Sequence, residues 1–222
     1  MKSNEREIRY IAIEGVIGAG KTTLTKMLHK KLGGKLVLEK YMENPFLTRF
    51  YQDRERYSFQ TQIYFLLTRF KQLQKLHQYN LFEDYTIIDY VFEKDKIFAH
   101  LNLQDDELQL YNMLVTQLEK TLPPPDLVVY LQSSVDRLME NIKKRGRDFE
   151  ETITRQYISD LNDGYNYFFF RYKGAPLIIV NATEIDFVKH EDHLEELIAE
   201  ILRPRRAAVE YYTPLSRIPR EE

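Results

Sequence analysis

The chain has 222 residues, the length of one α/β domain or at most two small ones, and its 43% hydrophobic against 30% charged residues can bury a core. A formal net charge of −2 gives no footprint for a nucleic-acid polymer or an anionic membrane, and the lack of cysteine removes disulfide frameworks, Cys-ligated metals and thiol nucleophiles. The charged start Met1–Glu7 carries no apolar signal core and no 18-residue apolar run follows, so a cytoplasmic protein is expected.

The first predicted strand, Ile8–Glu14, runs into Gly15-Val16-Ile17-Gly18-Ala19-Gly20-Lys21-Thr22, which fits G-x-x-x-x-G-K-[ST] at every fixed position. A helix is predicted over Lys21–Leu32 directly after it. Strand, glycine loop and helix N-terminus together make a phosphate cradle: glycines let successive N–H groups turn inward, and the helix end adds partial positive charge. In that frame Lys21 reaches the β- and γ-phosphates and the Thr22 hydroxyl ligates Mg²⁺, so ATP and Mg²⁺ are the expected cofactors.

The second predicted strand, Lys35–Glu39, ends on a carboxylate at the edge where parallel sheets bind ligands, so Glu39 is a candidate to accept a proton from a hydroxyl attacking the γ-phosphate. The helix predicted over Tyr57–Tyr79 is apolar at Phe59, Ile63, Leu66, Phe70 and Leu73. Gln62 and Arg69 lie two turns apart on nearly one face, beside Phe65, and either read a nucleobase edge or flank the core stripe as surface residues. A third strand follows at Tyr85–Asp89, then a helix at Glu107–Lys120, the break Pro123-Pro124-Pro125 and a fourth strand at Leu127–Leu131. After the helix Val135–Lys144, the run Lys143-Lys144-Arg145-Gly146-Arg147 with Glu150 reads as a short arginine lid over phosphates or as a solvated basic helix end. A helix at Ile153–Tyr172, a fifth strand at Pro176–Asn181 and a helix at Glu191–Leu202 complete the pattern.

Strands alternating with helices imply a three-layer α/β fold, a five-stranded parallel sheet with helices on both faces, in one domain over residues 1–202 with the lid at about 143–151. The remaining residues, 203–222, hold five Arg and three Pro with little periodicity and are expected to be an extended or disordered tail.

The segment Ile13-Glu14-Gly15 through Lys21-Thr22-Thr23 resembles the P-loop of the deoxynucleoside kinases, and Asn44-Pro45-Phe46-Leu47, Phe50-Tyr51, Phe59–Phe65, Ile97-Phe98-Ala99 and Arg145-Gly146-Arg147 resemble the bacterial deoxyadenosine/deoxyguanosine kinase branch in the same order. The resemblance implies phosphorylation of a deoxynucleoside 5′-hydroxyl by ATP in nucleotide salvage, with small-molecule partners and a homodimer. It implies phosphate binding by Gly15, Gly18, Ala19, Gly20, Lys21, Thr22 and Thr23, a general base at Glu39, and sugar 3′-hydroxyl contacts from Tyr51 and Glu150. It further implies base contact by Gln62 supported by Arg69, lid roles for Arg145 and Arg147, and an acid, Asp89, near Mg²⁺.

The family usually has [DE]-R-S after its third strand, whereas this chain has Asp89-Tyr90-Val91. Counted back from Ile97-Phe98-Ala99, Asp89 falls at the acid or one residue on, at the arginine. Lys94, in Glu93-Lys94-Asp95-Lys96, would supply the missing charge, and the second base-reading position is Lys94 or Asp95. Two other readings share the fold: a thymidylate-type nucleoside monophosphate kinase, against which Tyr90 argues, and a non-catalytic nucleotide-binding subunit, against which Lys21, Thr22 and Glu39 argue.

Overall fold

The computed structural model describes residues 8–76, 84–183, 185, 187, 189–204 and 206–213. Its six strands are β1 (Tyr10–Gly15), β2 (Lys35–Val37), β3 (Thr86–Ile88), β4 (Leu127–Gln132), β5 (Leu177–Asn181) and β6 (Val209–Tyr212). They form one sheet in the order β2-β3-β1-β4-β5-β6, with every neighbouring pair parallel. Its middle is made of continuous apolar runs, Ile11-Ala12-Ile13 and Leu127-Val128-Val129, all fully buried. A strand covered on both faces reads this way, because neither side of the pleat meets water.

The helices are α1 (Lys21–Leu32), α2 (Leu47–Gln52), α3 (Arg54–Leu76), α4 (Lys94–Asn102), α5 (Asp105–Glu119), α6 (Val135–Arg145), α7 (Arg155–Phe170) and α8 (Glu191–Leu202), with short 3₁₀ turns at Tyr41–Glu43 and Asp148–Glu150. Several ends carry a local cause. Ser134 Oγ accepts from Arg137 N at the start of α6, Thr154 Oγ1 from Tyr157 N at the start of α7, and α6 stops at Gly146 in the left-handed region (φ 61°).

The α/β class and parallel order agree with expectation, but the sheet has six strands rather than five. The sixth comes from the segment read as a tail. Val209–Tyr212 pairs with β5, Leu177 opposite Val209, and the Arg206 guanidinium donates to the last carbonyls of α8, Glu200 O at 2.6 Å and Ile201 O at 2.9 Å. Those bonds turn the chain back beside the sheet, an effect that arginine count and proline content do not foretell. The helix expected over Tyr57–Tyr79 begins three residues earlier, where Asp53 Oδ1 accepts from Arg56 N at 3.2 Å, and residues 77–79 of it lie outside the described residues. Helices α2 and α4 were not anticipated from periodicity, and both bear on the site.

Candidate active site

β1 separates β3 from β4, so the crevice opens at the carboxyl ends of these strands, where the order of connections changes direction. The glycine loop lies there. Gly18 has φ 89°, and a Cβ on it would stand 2.7 Å from Leu138 O; Gly20 has φ 93° and caps α1. Asn141 of α6 donates to Gly18 O at 2.8 Å and ties the loop to that helix. The Lys21 ammonium donates to Gly15 O and Val16 O at 2.7 and 3.1 Å, folded back over the loop it serves. Burial pushes its pKa down to about 8; Glu14 opposes the fall and Lys94 adds to it.

Glu14 is fully buried at the foot of the loop. Its carboxylate accepts from Gly15 N at 2.9 Å, Val91 N at 2.9 Å and the Tyr165 hydroxyl at 3.2 Å. Burial and then Glu14 push the Tyr165 hydroxyl well up, so it stays a donor. The loop, the segment after β3 and α7 are thereby joined through one carboxylate.

Asp89 follows β3 directly. Its Oδ2 accepts from the Thr22 hydroxyl at 2.7 Å and its Oδ1 from Glu39 N at 2.7 Å. Asp89 thus stands beside the P-loop threonine, and the next residue, Tyr90, is fully buried with its hydroxyl donating to Gln72 Oε1 at 2.8 Å.

Glu39 lies beyond the end of β2, because its N–H serves Asp89 instead of a strand neighbour. Its Oε1 is held by Arg69 through Nε at 2.7 Å and Nη2 at 2.5 Å, and its Oε2 by the Lys94 ammonium at 2.9 Å. Burial alone would raise this carboxyl, but the adjacent Arg69 and Lys94 charges outweigh it and hold Glu39 well below the usual carboxylate range. Arg69 also pairs through Nη1 with Asp95, which is fully buried and accepts at Oδ2 from the Tyr111 hydroxyl at 3.2 Å. Gln62 donates its amide to Asp95 O at 2.8 Å. Gln62 and Arg69 are both 5% exposed, so they face inward along α3 and do not flank its core stripe on the surface.

At the far wall, Glu150 binds two guanidiniums: Arg145 Nη2 reaches its two oxygens at 2.6 Å and Arg147 Nη1 reaches Oε1 at 3.2 Å. Arg147 also lies 4.2 Å over the Tyr41 ring, and Tyr51 stacks on Phe149 at 5.8 Å. Burial pushes the Tyr51 hydroxyl well up. The arginines expected over the phosphates are thus folded against the carboxylate expected at the sugar, at one wall of the same cavity.

That cavity encloses about 910 Å³ including its open mouth. Lys21, Thr22, Glu39, Tyr51, Gln62, Arg69, Asp89, Lys94, Arg145, Arg147 and Glu150 all line it, although they come from six separate stretches of chain. Asp95 stands behind Arg69, out of the lining, and Thr23 is exposed on α1. Sequence reasoning missed Tyr41, Phe149, Phe98, Ser58, Thr61 and Asn102 of the lining. Ser58 and Thr61 had a signal: with Gln62, Phe65 and Arg69 they fall at i, i+3, i+4, i+7 and i+11 along α3, a mixed polar stripe beside its apolar one. Thr61 Oγ1 is buried with no hydrogen-bond partner among the described residues.

Thr22 Oγ1 and Asp89 Oδ2 are hard oxygen donors held together beside a phosphate loop, a set that suits Mg²⁺ brought in with a nucleotide. Among the described residues no group of three or more His, Cys, Asp or Glu gathers as a self-sufficient metal cage, and no helix is long and apolar enough to cross a membrane.

Residues 11–204 match the deoxynucleoside kinase family. A deoxyguanosine kinase of Bacillus subtilis is 34% identical over 197 residues, covering 86% of this chain and 95% of that protein. A deoxyadenosine/deoxycytidine kinase of the same organism is 30% identical, with 86% and 90% covered. Among solved structures, the deoxyadenosine kinase of M. mycoides with dCMP and dCDP bound superposes with a TM-score of 0.77 at 31% identity, covering 86% of this chain and 97% of that one.

Proposed function

Since the chain belongs to the deoxynucleoside kinase family, we propose that it transfers the γ-phosphoryl group of ATP to the 5′-hydroxyl of a deoxynucleoside, with deoxyadenosine and deoxyguanosine preferred and deoxycytidine accepted behind them. The observation that carries the reading is the single network joining the phosphate loop to an acceptor site: Thr22 to Asp89, Asp89 to Glu39, and Glu39 through Arg69 to Asp95 and Gln62.

The nucleoside lies across the sheet edge with its base toward Gln62, its sugar toward Tyr51 and Glu150, and its 5′-oxygen at Glu39. Gln62 offers donor and acceptor together, which suits an amino-bearing base edge. The 5′-oxygen attacks the γ-phosphorus in line, its proton passes to Glu39, and the bond from phosphorus to the β,γ-bridging oxygen breaks as ADP leaves with the electron pair. Lys21 and the guanidinium groups of Arg145 and Arg147 spread the charge on the transferring group. Mg²⁺, held through Thr22 and Asp89, would supply charge neutralisation on the phosphates. Arg145 and Arg147 leave Glu150 for the triphosphate while Glu150 turns to the sugar 3′-hydroxyl, so the lid and the sugar site exchange partners on closure.

An acceptor that already carries a phosphate would set its charge against the Glu39 carboxylate, which disfavours a monophosphate kinase. The protein acts in the cytoplasm as a homodimer. Leu110, Met113 and Leu114 of α5, with Leu101 of α4, are exposed apolar residues that such pairing would cover.

The test is turnover of the four deoxynucleosides and dTMP with ATP and Mg²⁺, for the wild type and Glu39→Gln. We expect a deoxypurine nucleoside to react fastest and Glu39→Gln to lower kcat by about 10²- to 10⁴-fold. Phosphorylation of dTMP with no deoxynucleoside accepted would overturn the reading.

A further inference from the structure

Glu39 carries a cation at each end. Arg69 takes Oε1 with two N–H groups and the Lys94 ammonium takes Oε2, so the oxygen with acceptor capacity left for a hydroxyl has its charge offset by an ammonium. Withdrawing either cation would make the carboxylate the stronger proton acceptor.

They are not equivalent. Arg69 forks between Glu39 and Asp95, and its guanidinium lies 4.7 Å over the Phe65 ring. Swinging it away would strand a fully buried carboxylate, at high cost. Lys94 is different. Among the described residues Glu39 is its one carboxylate partner, and its ammonium is a point charge on a four-carbon stem able to sweep without breaking a planar fork. Lys94 also lines the cavity together with Lys21 and Thr22, near enough to Lys21 for the two like charges to act on each other. A polyanion entering beside Lys21 relieves that repulsion and offers Lys94 a second partner.

We propose that Lys94 is a phosphate-responsive latch on Glu39: before the nucleotide binds its ammonium caps Oε2, and when a triphosphate enters it turns to the γ-phosphate and opens that oxygen to the acceptor hydroxyl. The inference rests on the kinase reading of the site and goes beyond it, because it couples arrival of the donor to exposure of the base. Lys94 is a positioning residue for Glu39 on this account, not a reader of the nucleobase.

The latch makes the carboxylate and the γ-phosphate rivals for one ammonium, and that rivalry is measurable without turnover. Calorimetric titration with Mg·ATP and Mg·ADP, in the absence of nucleoside, is run on the wild type, Glu39→Gln, Lys94→Met and the double variant. Glu39→Gln frees the ammonium and tightens ATP on the order of fivefold while ADP is unchanged. Lys94→Met weakens ATP by a similar factor and spares ADP. In the double variant the gain from Glu39→Gln disappears, because the group competed for is absent. Lys94→Gln, which keeps a hydrogen bond to Oε2 without charge, repeats the Lys94→Met result and guards against a packing artefact.

If Glu39→Gln tightens ATP equally with and without Lys94, the effect is plain repulsion between carboxylate and phosphate and the latch is wrong. ATP affinity unchanged in both Lys94 variants overturns it too. A cycle that behaves as expected in a protein that phosphorylates no deoxynucleoside keeps the latch and removes the proposed acceptor. Failure of the wild type to bind ATP removes both.

Discussion

At one wall of the cavity four ionised groups meet, Glu39 and Asp95 against Arg69 and Lys94, and their charges cancel. Three are shielded, Asp95 fully buried, Lys94 3% exposed and Arg69 5%, and the Glu39 side chain is 17% exposed. Burying any one of them alone would cost several kcal/mol, so the set persists only as a neutral whole. Asp95→Asn keeps the shape and removes one negative charge, which leaves the cluster with a buried excess positive charge. We expect it to lower unfolding free energy by about 3 kcal/mol, measured from the urea midpoint, and to raise KM for the nucleoside as Arg69 and the Gln62 contact at Asp95 O loosen. Adding Lys94→Met to Asp95→Asn restores neutrality, so the double variant should be more stable than the sum of the two losses allows. Strict additivity in urea would show that the four groups do not act as a unit. Each member was visible in the sequence as a candidate, but their pairing was not. Arg69 was expected to support Gln62, and nothing in its spacing indicated that its guanidinium would hold Glu39, thirty residues earlier.

At the scale of elements, legibility followed burial. β1 and β4 are covered on both faces and read as unbroken apolar runs, while α1 and α8 carry enough turns for their period to emerge. Where chemistry occupies the chain the pattern breaks. α4 opens with the charged run Lys94-Asp95-Lys96, of which Lys94 and Asp95 are buried as members of the site, so polarity no longer marks the outer face. β2 is one more case, cut short at Val37 because the Glu39 N–H is committed to the Asp89 side chain. β6 was missed for another reason: its register is set by pairing with β5 and by Arg206 on the end of α8, contacts remote in kind from local propensity. A chain ended at Leu202 would therefore lose an edge strand and bare the backbone of β5. We expect its Tm to fall by several degrees and its aggregation on heating to increase, both followed by circular dichroism and light scattering. Since β6 stands three strands away from β1, turnover measured well below the transition should be retained. Loss of turnover in a truncated chain that is still folded would place the terminal segment in the site's own support.

For the whole molecule, α5 is the element that faces two ways. Leu110, Met113 and Leu114 recur at helical spacing on its outer side and are 48%, 65% and 39% exposed, while Tyr111 and Val115 on its inner side are buried. Tyr111 is the residue whose hydroxyl reaches Asp95 Oδ2. A homodimer formed through the outer face would thus clamp the helix that props the Arg69–Asp95 pair at the cavity wall, though none of these outer residues lines it. Met113→Asp places a charge in that contact, where desolvating it has no compensating partner. If the proposed homodimer forms through this face, we expect sedimentation to give a dimer for the wild type and a monomer for Met113→Asp at the same concentration. In that monomer kcat at saturating nucleoside should stay near the wild-type value, because the phosphate loop, Asp89 and Glu39 are not held by α5. KM for the nucleoside should rise instead, since the support of Asp95 by Tyr111 has loosened. Tyr111→Phe in the intact dimer provides the comparison: removing the hydroxyl alone should raise KM without changing the mass in solution. A monomer with unaltered KM would separate pairing from substrate binding, and a Met113→Asp protein that remains dimeric would move the interface to another face.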